Sequence, residues 1–83
     1  MKFYIYATFD VAASRYGQVV VDMSDVVAKR NFLFAVSQSA QLQYISKDLE
    51  LHRIGEIDVA NGNIVACIPH EMIARGSEAL NDT

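Results

Sequence analysis

The sequence predicts an α+β domain: a small antiparallel sheet of three to four strands, one main helix packed on it, and a short C-terminal helix. Three observations carry that expectation. Lys2 to Phe9 alternates in polarity, and an apolar-rich run follows a capping serine at Ser24. Leu49 to Ile68 (LELHRIGEIDVANGNIVACI) reads as two strands joined at Asn61-Gly62, the dipeptide best suited to the positive φ angles of a tight type I′ turn. No repeat, low-complexity tract or linker interrupts the 83 residues, which read as a single domain, 1–83.

In the first strand, alternation places Phe3, Ile5, Ala7 and Phe9 on one face and Lys2, Tyr4, Tyr6 and Thr8 on the other, as in a half-buried strand. Asp10 to Tyr16 is small and polar and reads as a loop. Gly17 then opens a second strand, Gln18 to Met23, with three consecutive valines. Asp22 or Ser24 caps a helix running to about Ser37 or Ser39, with Asp25 near the positive end of its dipole. Val26, Val27, Ala28 and Phe32 to Val36 cover far more than the roughly 100° stripe a surface helix needs. Lys29, Arg30 and Asn31 are left as the main polar band. One side of this helix should pack on the sheet and the other on a partner.

Ser37 to Lys47 is polar without a clear period and reads as loop. In the hairpin, Leu49, Leu51, Gly55, Ile57 and Val59 form an apolar face and Glu50, His52, Glu56 and Asp58 face water. Arg53 and Ile54 break the pattern. A two-residue turn pairs Val59 with Ile64, Ile57 with Ala66 and Gly55 with Ile68. A three-residue loop with Gly62 at a bulge is the alternative, and it would bring Val65 and Cys67 to the core face. Pro69 is expected to end the strand, with a short helix between Glu71 and Leu80 ending near Gly76, and fraying beyond it.

Hydrophobic residues make up 52% of the chain and charged residues 20%, too apolar for disorder and rich for so small a globule. A homodimer or higher homo-oligomer would use the surplus. The single Cys67 rules out an internal disulfide and suits a reducing compartment. Neither a signal peptide nor a long uncharged apolar run is recognisable, so a cytoplasmic protein with no membrane association is expected. The net charge of −3 is the opposite of a dedicated phosphate-backbone binder, so any nucleic-acid contact must use a local patch.

His52 and His70 are expected to lie near one another across the open end of the hairpin. A metal there would need a third ligand from Glu50, Glu71 or Cys67, and none stands at a recognised spacing. Two surface histidines and no metal is the favoured reading. Cys67 near His70 lacks the orienting group and oxyanion site of a thiol nucleophile, and reads as a small buried hydrophobe. With no phosphate loop, nucleophile elbow or paired-carboxylate signature, neither enzyme activity nor a cofactor is expected. Tyr4 and Tyr6 share a strand face beside Lys2, as aromatic platforms do when they stack unpaired bases. Packing of that face under another element or against a second subunit is the competing reading. Arg15, Lys29 and Arg30 would complete a basic patch, against the reading of a solvated helix band.

The order of motifs resembles the small nonstructural protein of microviruses, single-stranded DNA bacteriophages, in the gokushovirus branch. Its carriers are the opening strand ending in Asp10, the Tyr16-Gly17 step, the helix start Asp25-Val26-Val27-Ala28-Lys29-Arg30-Asn31-Phe32, the run Leu49 to Asp58, and Asn61-Gly62. The Leu-x-x-Ile-Gly-x-x-Asp run before a turn glycine is its most specific part. The resemblance implies a nonenzymatic viral protein in the host bacterial cytoplasm, binding single-stranded DNA during genome synthesis or packaging. Two features depart from the family: Gln18-Val19-Val20 stands where prolines and aromatics are frequent, and the charge is acidic. The expected binding set is Lys2, Tyr4, Tyr6, Arg15, Lys29 and Arg30, with the hairpin as scaffold. A module that binds a phage or host protein through a sheet edge or the apolar helix face is the alternative.

Overall fold

The computed structural model describes residues 1–80 and shows the expected α+β architecture, a four-stranded antiparallel sheet with one main helix. The strands are β1 (Lys2–Asp10), β2 (Arg15–Asp22), β3 (Leu49–Asp58) and β4 (Asn63–Arg75), in the spatial order β2-β1-β3-β4. Between β2 and β3 run helix α1 (Asp25–Ser37), helix α2 (Ala40–Tyr44) and a 3-10 turn at Ser46–Asp48. A 3-10 turn at Gly76–Leu80 follows β4. Among the described residues no helix is long and apolar enough to cross a membrane.

Helix α1 starts where its cap dictates. The Ser24 hydroxyl accepts from the Val27 N–H at 3.3 Å, satisfying one of the first-turn donors. Ala28, Phe32 and Val36, at a spacing of four, face the sheet, and Val26 and Phe34 stay exposed. The helix covers the Tyr4, Tyr6 and Thr8 side of β1, leaving the side of Phe3, Ile5, Ala7 and Phe9 without a covering helix. Tyr6, Ala28, Leu51 and Ala74 form the buried cluster, with Tyr4, Phe32 and Ile73 packed against it.

The irregularity at Arg53-Ile54 is a β-bulge. Tyr6 pairs with Arg53 and Ile5 with Gly55, so one residue of β3 is left over. Leu49, Leu51 and Arg53 consequently point to the helix side, and Gly55 and Ile57 to the helix-free side. The hairpin register differs from expectation by two residues: Ile57 pairs with Ile64 and Gly55 with Ala66. A two-residue shift preserves facing, so the two apolar rows still share one side. Asp58 causes the shift. Its carboxylate accepts from the Ala60 N–H at 2.9 Å and its carbonyl from the Gly62 N–H at 2.7 Å. The turn therefore begins at Asp58 and closes through Gly62 at φ 77.

Three other expectations are corrected. The Ser37–Lys47 loop contains α2, whose cap Ser39 accepts from the Leu42 N–H at 3.2 Å. Strand β2 begins at Arg15, not Gln18. The second hairpin strand does not end at Pro69: Glu71 to Arg75 pair with Arg53 to Glu50 in place of the expected helix. Ladder bonds and the Glu71 to Arg53 ion pair hold this stretch extended. The expected fraying beyond the last turn falls on residues 81–83, outside those described.

Candidate nucleic-acid interface

Alternation and the bulge decide where the expected binding residues lie. Tyr6 is 0% exposed and its hydroxyl donates to Asp25 at 2.6 Å. Burial, then the bond to the Asp25 carboxylate, raises its pKa well above the usual tyrosine range. Tyr4 packs beside it, with the Arg53 guanidinium 5.5 Å from its ring centroid. The stacking platform expected from these two rings is therefore corrected: the face they share is the one α1 covers, and Tyr6 has no surface to offer a base.

Two of the expected cations are already paired. Lys2 reaches Glu56 at 2.9 Å and Lys29 reaches Glu78 at 3.1 Å. Arg53 lies between Asp25 and Glu71, and its hydrogen bond to Asp25 raises its pKa despite partial desolvation. Arg15, Arg30, Lys47 and Arg75 have no ion-pair partner among the described residues. Arg15 lines a cleft of about 580 Å³ between β2 and α1, whose walls include Val20, Phe32 and Val36. Arg30 is exposed on the outer side of α1. The structure does not gather Lys2, Arg15, Lys29 and Arg30 around the two tyrosines.

What it gathers instead is a set of rings on the helix-free face. Phe9 and Tyr16 have centroids 4.7 Å apart, and Phe9 stacks on His52 at 5.4 Å. Tyr16 meets His52 and His70 edge-on at 5.4 and 5.3 Å. The Tyr16 hydroxyl lies 2.9 Å from Nδ1 of both His52 and His70, and His52 Nε2 lies 2.8 Å from Glu50. One pattern of neutral rings satisfies every contact. His52 Nε2–H donates to Glu50, the Tyr16 hydroxyl donates to His52 Nδ1, and His70 Nδ1–H donates to the Tyr16 oxygen.

The expected proximity of His52 and His70 is thus seen, and Tyr16 is the residue between them. No group of three or more His, Cys, Asp or Glu side chains among the described residues is arranged to hold a metal. Sequence reasoning missed this cluster because it placed Tyr16 in a loop. The signal available was its position beside Gly17 at the start of a strand that pairs with β1.

The family model described as phage ORF5 protein matches residues 3–79. No curated protein and no solved structure matches the chain.

Proposed function

The chain belongs to the phage ORF5 protein family, and from that premise we propose a nonenzymatic protein that binds single-stranded DNA during phage genome synthesis or packaging. The microvirus resemblance gives the reading its biological setting, in the cytoplasm of the infected bacterium. The observation that carries it is the ring cluster of Phe9, Tyr16, His52 and His70 on the sheet face that α1 leaves uncovered. Aromatic side chains on the open face of an antiparallel sheet stack unpaired bases with little sequence preference.

Arg75 pairs with Glu50, which pairs with Phe9, and so stands on the face of the rings, where a phosphate of a strand crossing them meets it. Arg15 lies on the opposite face, in the cleft beside α1. With a net charge of −3, affinity should be modest and should fall steeply with salt. The test is fluorescence anisotropy with labelled oligonucleotides at low salt. Tyr16→Ala should weaken binding at least tenfold, on the order of the 1–3 kcal/mol that one stacked base contributes. Lys29→Ala should leave binding unchanged, because that cation is engaged by Glu78. Absence of binding, or binding indifferent to Tyr16, would overturn the reading.

A further inference from the structure

The helix-free face has a second half. Beyond the ring cluster, toward the start of β1, Phe3 lines up with Ile57 and Ile64, and Ile5 with Val21 on one side and Gly55 and Ala66 on the other. Val19 extends the row beside Ala7. No charged side chain belongs to these rows. Val19 and Ile64 are both 62% exposed and Val21 51%, so the structure leaves a contiguous aliphatic surface in water.

We infer that this aliphatic half is an interface with a second copy of the chain, formed sheet to sheet about a two-fold axis. Three observations select that occupant. A two-fold interface sets a patch against itself, so any net charge within it repels its own image. In a chain of net charge −3, the uncharged rows meet that requirement. The exposed helix stripe does not: Val26 and Phe34 flank Arg30 at a spacing of four, and helix-to-helix docking would press arginine toward arginine. Area is the second consideration. Four strands wide and about five residues long, the aliphatic half outlines roughly 300–400 Å² per copy, so two copies would bury on the order of 700 Å² or somewhat more, the scale of a weak, concentration-dependent pair. The third is packing. The helix layer already buries the other side of the sheet, and a domain this small gains most from covering its remaining apolar side.

The ring cluster adjoins these rows, since Ala7 pairs with His52, but the inference is independent of DNA binding because association is measured without nucleic acid. Sedimentation velocity of the full chain across a hundredfold concentration range should show a dimer at the upper end. Ile64→Glu and Val21→Glu should each raise the dissociation constant at least tenfold with unchanged circular dichroism. Val26→Glu, on the helix stripe, should leave it unaltered. Intermolecular methyl contacts between Ile5 and Ile64 in a mixed-label NMR sample of the unaltered protein should appear as well, a readout that needs no variant. A monomer at every concentration, weakening only by Val26→Glu, or intermolecular contacts confined to the backbone edges of β2 or β4 would overturn the proposal.

Discussion

Tyr16 and His70 stand on the two edge strands of the sheet, β2 and β4, and meet across its helix-free face through a 2.9 Å hydrogen bond that His70 Nδ1–H donates to the Tyr16 hydroxyl oxygen. The intervening strands β1 and β3 supply Phe9 and His52 beneath that crossing. A single phenol thus ties together two strands that share no backbone bond.

Tyr16→Phe keeps the ring and removes the hydroxyl that both histidines share. At an exposed site, lost neutral hydrogen bonds should cost about 0.5–1.5 kcal/mol in all, read from urea unfolding. Amide exchange should quicken at the start of β2 and around His70. If DNA stacks here, the phenylalanine variant should retain much of the binding that Tyr16→Ala loses.

The buried Tyr6 gives an alkaline signature. Its folded-state pKa lies above the unfolded value through burial and the Asp25 bond. The stability it adds is fully present below the unfolded value of about 10 and is lost as pH rises toward the folded value. Unfolding scans from neutral pH upward should show stability falling above about pH 10. Tyr6→Phe should flatten that fall while costing about 1–3 kcal/mol at neutral pH, because Asp25 loses a partner.

Glu78 gives the opposite sign. Its pKa is lowered, first by accepting the Arg75 N–H at 2.7 Å and then by Lys29. Its contribution is present above the unfolded value of about 4.3 and lost as pH falls through the folded one. The side chain is partly exposed, so Glu78→Gln should cost only a few tenths to about 1 kcal/mol near neutrality. NMR titration of the Arg75 amide should report the same acid-side transition.

Gly76 is held by contact rather than by conformation. A Cβ there would stand 2.5 Å from the Ser46 carbonyl oxygen and 3.1 Å from the Leu49 Cβ, and a backbone carbonyl yields little. Gly76→Ala should destabilise by about 1–3 kcal/mol in thermal or urea unfolding. Gly17, with nothing within 4 Å of an added Cβ, makes the control.

The parts of this structure written in local chemistry were legible. Alternation sorted β1 into its two faces, Ser24 capped α1, and the apolar rows of the hairpin were paired on the correct side although the register was two residues out. Turn initiation by Asp58 decided that offset, and its competition with Asn61-Gly62 is settled by particular hydrogen bonds rather than by residue type. Which face of β1 would receive the helix was not legible, since both faces carry large side chains. The buried hydroxyl of Tyr6 is tolerated there because Asp25, nineteen positions away, accepts from it. The ring cluster depends on Tyr16 reaching across two strands, a relation invisible to any short window of sequence.

The bulge at Ile54 has a consequence for how β3 tolerates change over generations. Before it, positions 49, 51 and 53 answer to the helix; after it, 55 and 57 answer to the uncovered face. The same odd-numbered lattice of positions is therefore subject to two unrelated selective regimes along one strand. Deleting the extra residue would leave both halves facing as they do, with Arg53 still opposite Tyr6 and Gly55 still opposite Ile5, whereas a one-residue deletion anywhere else in the strand would set those two regimes against each other.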